Sequence, residues 1–171
     1  MEMRVLKFIA AIFLSLNAIS VFAEGYPIGP DNRLTEGDLC EHGDSHRYPE
    51  QIEYCSRRVS AAKKWEIIEK YEELGYEIRR YGRENFKIDH LIPLCAGGSN
   101  DESNLWPQHK DVYEQTDRIE EMTCRMMAQG KMTQAEAVEL ILDVKHHLEK
   151  AASVEASLRE HLGELPLFYT I

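Results

Sequence analysis

The chain predicts an α+β fold: a short antiparallel hairpin flanked by several α-helices and stapled by disulfides. Three observations carry that prediction. Short alternating runs, Tyr76-Glu77-Ile78 and Phe86-Lys87-Ile88, read as strands. Longer runs on either side repeat their apolar residues every three or four positions, as amphipathic helices do. Four cysteines, Cys40, Cys55, Cys95 and Cys124, lie in a chain of 171 residues, enough for one domain with a modest core.

Residues 1–23 open with Arg4 and Lys7, continue through an apolar stretch from Phe8 to Leu16 and close on Val21-Phe22-Ala23. That is the layout of a secretory signal peptide cleaved after Ala23. An uncleaved anchor is the alternative, but the apolar run is short for a bilayer span and is interrupted by Ser15, Asn17 and Ser20. The mature protein is therefore expected to be exported, periplasmic or secreted, with no stable membrane association. An even cysteine count in an exported chain favours two disulfides. Of the three possible pairings, Cys40–Cys55 with Cys95–Cys124 ties an irregular arm to itself and a Gly-rich loop to the helix after it. A zinc site competes, but no Cys-x-x-Cys or His-x-x-x-His spacing supports it.

Residues 24–56 are rich in Gly, Pro and Asp and read as an irregular arm; residues 57–171 carry the domain and its C-terminal helices. From Ser60, the positions Ala61, Trp65, Ile68, Tyr71 and Leu74 mark one apolar helix face, with Gly75 as its stop. The two short strands follow. Asn104-Leu105-Trp106 reads as a return strand ended by Pro107, and a helix runs from about Lys110 to Gln129 with Val112, Ile119, Met122 and Met126 inward. Gly130 breaks it. Thr133 and Glu136 have capping-box spacing ahead of a last helix over 134–162. Met122, Met126, Met127 and Met132 read as core filling, and His146-His147 as a solvated pair.

Residues 88–108 are the most informative segment. An Asp-His pair (Asp89, His90) ends a strand, Gly97-Gly98-Ser99-Asn100 makes a turn, and Asn104 stands fourteen positions after His90. The Asp-His-x-x-Pro-Leu, Gly-Gly-Ser-Asn and Asn-Leu elements, in this order and spacing, resemble an HNH endonuclease motif, the ββα-metal fold. The resemblance covers about thirty residues and implies an HNH-like core within 57–171. It implies that His90 is the general base that activates water and that Asp89 is a hard oxygen ligand to a divalent ion. Asn104 would be the residue whose amide pins the loop or orients the imidazole. The ion implied is Mg²⁺, with Mn²⁺ or Zn²⁺ as alternatives. The family's second ligand sits on the following helix. A simple count places Tyr113 there, a poor partner for a hard cation. Glu114 fits best by spacing, His109 best by residue type, and Asp117 is a third candidate.

Formal net charge is −10, the wrong sign for a protein that binds nucleic acid through phosphates. The basic residues are uneven, however: nine lie between Arg57 and Lys87 against six acidic ones. Arg79, Arg80, Arg83 and Lys87, just ahead of the Asp-His pair, are the candidate phosphate track; Lys63, Lys64 and Lys70 read as a solvated face. Two functions follow. One is an exported, metal-dependent endonuclease acting on DNA, with RNA as an alternative substrate. The other is a non-catalytic exported ββα scaffold that binds a protein or envelope component. Nothing in the sequence marks an inhibitor or immunity partner.

Overall fold

A computed structural model describes residues 25–164; the expected signal segment lies outside the described residues. The architecture is mixed α+β, with two two-stranded antiparallel sheets, four α-helices and two disulfides. The first sheet pairs β1 (Ser45–Arg47) with β2 (Ile52–Tyr54). This hairpin lies inside the stretch expected to be irregular. Its strands are three residues each, too short to show alternation, and Tyr48 and Gln51 turn the chain with φ of 64° and 59°. The arm around it is not loose. Backbone bonds from Gly37 to Ser103, from Cys40 to Gly97 and from Ser99 to Asp38 lay residues 37–40 along the Gly-Gly-Ser-Asn loop.

Helix α1 (Ala61–Glu73) starts where Ser60 accepts a bond from the amide of Lys63, and it buries Ile67, Ile68 and Tyr71. Trp65, expected on this face, is 49% exposed and leans toward Arg83 instead. Tyr76-Glu77-Ile78 is not a strand. The amide of Glu77 bonds to Gly25, the carbonyl of Glu77 closes a turn onto Arg80 and Tyr81, and Ile78 is buried as a plug. A run of three with no strand to pair with has no ladder to join.

The second sheet pairs β3 (Phe86–His90) with β4 (Leu105–His109), Ile88 opposite Pro107 and His90 opposite Leu105. Pro107 does not end the return strand. In a two-stranded ribbon every strand is an edge, so a proline nitrogen can face away from its partner. Leu105 and Trp106 join Ile68, Tyr71, Phe86 and Ile88 in the main core, packing α1 on the hairpin. Trp106 is fully buried, which contributes roughly 2–3 kcal/mol.

Helix α2 (Lys110–Ala128) follows β4 directly and buries Val112, Ile119, Met122 and Met126, as expected. Thr133 and Glu136 form the anticipated capping box for α3 (Gln134–His146). The single last helix is in fact two. The chain leaves helical geometry at His147, passes Leu148–Lys150 and re-enters as α4 (Ala151–Leu162). The break lets Ala151 and Leu158 fold back and share a cluster with Ile119, Met122, Met126 and Val144. One straight rod could not place both ends on α2. The disulfides are Cys40–Cys55, within the arm, and Cys95–Cys124, from the loop after β3 to α2. Among the described residues no helix is long and apolar enough to cross a membrane.

Candidate functional site

Side chains alternate along β3: Phe86, Ile88 and His90 are buried, while Lys87 and Asp89 lie on the other face. Asp89 and His90 therefore share the C-terminal end of the strand and diverge from it. His90 meets the arm and the Gly-rich loop; Asp89 meets α2 and α3.

The imidazole of His90 has one neighbour on each nitrogen. Arg57 Nη1 lies 3.3 Å from Nδ1, and Asn100 Oδ1 lies 3.3 Å from Nε2. The amide of Asn100 has only one orientation open to it. Its Nδ2 donates to the carbonyl of Ser56 at 2.8 Å, and its Oδ1 accepts from the backbone of Arg58 at 3.0 Å. The atom facing His90 is thus an acceptor, so Nε2 carries the proton and Nδ1 presents a lone pair to the guanidinium. Burial lowers the pKa of His90 to about 4; the Asn100 bond opposes this and the Arg57 charge adds to it. At neutral pH the ring is uncharged and able to accept a proton.

Asn104 is fully buried at the start of β4. It accepts from the amide of Ile92 at 2.8 Å and donates to the carbonyls of Ile92 and Ser99, each at 2.9 Å. Of the two roles open to it, it fills the first: it pins the loop. Orienting the imidazole falls to Asn100. The pinned loop is so tight that a Cβ on Gly98 would stand 1.8 Å from the carbonyl oxygen of Ile92.

On the other face, Asp89, Asp117 and Glu120 each offer a carboxylate oxygen, all within 4.8 Å of one another. Asp117 and Glu120 are three apart on α2 and so share one side of the helix. Two lysines enter this cluster. Lys87 Nζ lies 2.5 Å from Asp117 and 3.3 Å from Asp89, over the ring of Tyr113. Lys145, from α3, is 1% exposed and reaches Glu120 Oε1 at 2.6 Å, the His90 carbonyl at 2.6 Å and Asp89 Oδ2 at 3.9 Å. Burial alone would raise the pKa of Asp89, but Lys145 and Lys87 outweigh it and hold the carboxyl below its usual range. Burial raises Glu120 to about 7 against the pull of Lys145, and the Asp89 charge pushes it the same way. Asp89 Oδ2 and Glu120 Oε1 are buried yet accept no hydrogen bond of good geometry, for all the nearby positive charge.

Those two oxygens, buried against positive charge, suit a hard cation, as does the all-carboxylate donor set. Three carboxylates and two ammonium groups give the cluster a formal charge of −1, and a divalent ion there would take the place that Lys87 Nζ holds. The other expected ligands sit elsewhere. Glu114 is exposed on α2 at the rim of a shallow groove that Asp117 also lines. His109 caps α2 by accepting from the amide of Asp111, and its buried ring stacks on Tyr26 with centroids 4.0 Å apart.

The expected phosphate track is largely occupied. Arg79 pairs with Glu72 and Glu69, and Arg80 pairs with Glu77. Arg83 bonds to the carbonyl of Phe86, and Lys87 bridges Asp89 and Asp117. None of the four bonds to His90. Sequence reasoning missed Arg57, Asn100, Glu120 and Lys145. The i, i+3 spacing of Asp117 and Glu120 was a usable signal; nothing in the sequence links Lys145 to residues fifty-five positions away.

No protein-family model, no curated protein and no solved structure matches this chain. Function has to come from the chemistry of the site.

Proposed function

We propose that the chain is an exported, divalent-metal-dependent endonuclease of the HNH type that hydrolyses DNA phosphodiester bonds, with RNA as the alternative substrate. The observation that carries this reading is the cluster of Asp89, Asp117 and Glu120, in which Asp89 Oδ2 and Glu120 Oε1 are buried against the ammonium groups of Lys87 and Lys145. The adjoining residue, His90, is neutral, with the lone pair of Nδ1 turned toward Arg57 and Nε2 held by Asn100. A hairpin followed at once by a helix, with the Asp-His pair at the hairpin's end, is the order expected of a ββα-metal core. Two disulfides suit an oxidising compartment.

Mg²⁺ or Mn²⁺, held by Asp89, Asp117 and Glu120, would act as a Lewis acid toward the charge that builds on phosphate and leaving oxygen. Zn²⁺ suits an all-oxygen set less well. The chain's own groups do the rest. His90 Nδ1 takes a proton from water as the water oxygen bonds to phosphorus, and the leaving oxygen departs with the electron pair of the broken P–O bond. Asn100 Oδ1 accepts from Nε2–H throughout, which favours the imidazolium as it forms and fixes the ring's angle. Asn104 holds the loop from which Asn100 projects.

Lys145 favours a second reading. Its buried ammonium already supplies positive charge to Glu120 and Asp89, as a non-catalytic scaffold that binds a protein or envelope component would need. Plasmid cleavage by oxidised mature protein with Mg²⁺ or Mn²⁺, beside EDTA, His90→Ala and Asp117→Asn controls, separates the two. Metal-dependent cutting lost in both variants supports the enzyme. Folded protein that neither cuts DNA or RNA nor binds Mn²⁺ by calorimetry supports the scaffold.

A further inference from the structure

We propose that Arg57 and Lys63 form the substrate-phosphate subsite of the His90 face, and that Arg57 masks the base until a phosphodiester draws it away. The identity of the anion as a nucleic-acid backbone rests on the nuclease reading above; the subsite itself rests on geometry.

The chain is acidic overall, and most of its basic side chains are neutralised in place. Arg33, Arg58, Lys70, Arg79, Arg80 and Lys87 all have a carboxylate partner. Arg57 and Lys63 do not, among the described residues; Arg57 stands at His90, and Lys63 at Asn100, the residue that holds the His90 ring. Arg57 spends two of its five N–H groups, on His90 Nδ1 at 3.3 Å and on the carbonyl of Ile88 at 2.8 Å. Lys63 Nζ bonds only to the carbonyl of Asn100, at 3.0 Å. Lys63 itself sits in the first turn of α1, which has no acidic residue to offset the partial positive charge of its free amides. An anion between His90 and Asn100 would meet two cations that have no carboxylate partner and a helix end of the same sign.

The position of Arg57 is built, not incidental. Cys55, two residues before it, is bonded to Cys40. Ser56 donates its amide to Asp44 at 2.7 Å and gives its carbonyl to Asn100 at 2.8 Å. Arg58 donates its amide to the same Asn100 at 3.0 Å and pairs with Asp44 at 2.5 Å. The flanking residues are thus clamped on both sides, which holds the backbone of Arg57 beside His90.

The space in front of the imidazole is where attacking water must sit if Nδ1 is the base, and the guanidinium fills it. A bond from guanidinium to neutral imidazole is weaker than a forked bond to an anionic phosphate. When a phosphodiester arrives, Arg57 turns onto its non-bridging oxygens and Nδ1 is uncovered. Substrate binding and exposure of the base become one event, and idle water has no open base to use.

The test is fluorescence anisotropy of end-labelled DNA and RNA oligonucleotides with oxidised mature protein. It is run in EDTA and again with Ca²⁺, over a range of salt. Arg57→Ala and Lys63→Ala are compared with wild type, with Arg57→Lys to restore charge and Arg79→Ala/Arg80→Ala as the control pair. Thermal unfolding confirms that each variant folds. Each single loss should flatten the slope of log affinity against log salt by about one. Arg57→Lys should recover the slope, and the control pair should leave it unchanged. An unchanged slope in both single variants, or no oligonucleotide binding by wild type, overturns the subsite. Cleavage is scored separately. Binding through Arg57 and Lys63 without cutting removes the enzyme and keeps the subsite. Cutting with unaltered KM in both variants does the reverse.

Discussion

Lys145 Nζ lies 2.6 Å from Glu120 Oε1 with the lysine side chain 1% exposed, so α3 and α2 are joined through a buried ion pair directly beneath Asp89. Breaking such a pair by removing one partner costs about 3–5 kcal/mol. Glu120 is already raised to about 7 by burial and can escape part of the cost by taking a proton. Lys145→Met should therefore lower stability by about 3 kcal/mol at neutral pH. The variant also leaves the three carboxylates with less opposing charge, so Mn²⁺ should raise its melting temperature more than it raises that of wild type. A ligand at about 100 times its Kd stabilises by roughly 2.7 kcal/mol. Equal Mn²⁺ shifts in the two proteins would show that Lys145 does not compete with the ion.

The same cluster makes Asp117 the candidate helix ligand. Asp117 lies within 4.8 Å of Asp89 and Glu120, whereas Glu114 is exposed and His109 is packed against Tyr26. Asp117→Asn should weaken Mn²⁺ binding at least roughly tenfold, in the range of losses seen for displaced ligand-shell groups. Glu114→Gln should leave affinity unchanged. His109→Ala should cost stability, through the lost stack and helix cap, without changing ion affinity. Calorimetric titration of the three variants tells them apart, and a loss of affinity confined to Glu114→Gln would move the ligand one turn back.

How much of this was legible follows from the range of each interaction. The hairpin strand that delivers Asp89 and His90, the course of α2 and the Thr133–Glu136 cap are written in local spacing, and the structure has all three. The β1–β2 hairpin is too short to carry a pattern, and the break at His147 depends on where α2 lies, which no local run encodes. At the site, the Asp-His pair and Asn104 were visible as a motif. Arg57 and Lys145 were not, because each reaches the hairpin across thirty or more residues. Arg79 and Arg80 looked like a free basic track only because their partners, Glu72, Glu69 and Glu77, read as a separate helix and strand.

Asn104 and Gly98 hold the loop between the strands as a unit. Asn104→Ala removes three buried bonds, to Ile92 N, Ile92 O and Ser99 O. At about 1 kcal/mol net for each bond, with added cost for carbonyls left bare, the loss should be about 3 kcal/mol. Gly98→Ala would drive a methyl carbon to 1.8 Å from the Ile92 carbonyl oxygen, so the backbone must move and the loss should be at least as large. Urea unfolding reads both. The double variant should lose less than the sum, because the two changes spoil the same loop.

The Cys40–Cys55 bridge closes a loop with a sequence separation of 15, for which chain entropy suggests about 3 kcal/mol. Cys40→Ala/Cys55→Ala should lose about that much in denaturant unfolding. Because Cys55 anchors the segment bearing Arg57, oligonucleotide affinity should fall in the same variant while Mn²⁺ affinity holds. Loss of both affinities in a folded double variant would show that the arm supports the carboxylate cluster as well.

Asp31 gives the fold an acid limb. Its carboxyl is held down, from 3.8 to about 2, first by the side-chain bonds from Arg33, with burial opposing and the Arg33 amide and Tyr76 hydroxyl adding to the pull. The hydroxyl of Tyr76 lies 3.1 Å from Oδ2, and the amide of Asp31 donates to the Tyr71 hydroxyl, also at 3.1 Å, so the residue ties the arm to α1 and the turn after it. A carboxyl with a lower pKa folded than unfolded stabilises the fold fully above its unfolded value. That contribution fades as pH falls from about 4 toward 2, where the folded group also protonates. Asp31→Asn keeps the shape and removes the charge, at a cost of about 1 kcal/mol at neutral pH. Urea midpoints between neutral pH and pH 2 should converge for wild type and Asp31→Asn at the acid end. A gap that stays constant over that range would mean that the ionised carboxylate adds nothing beyond its hydrogen bonds.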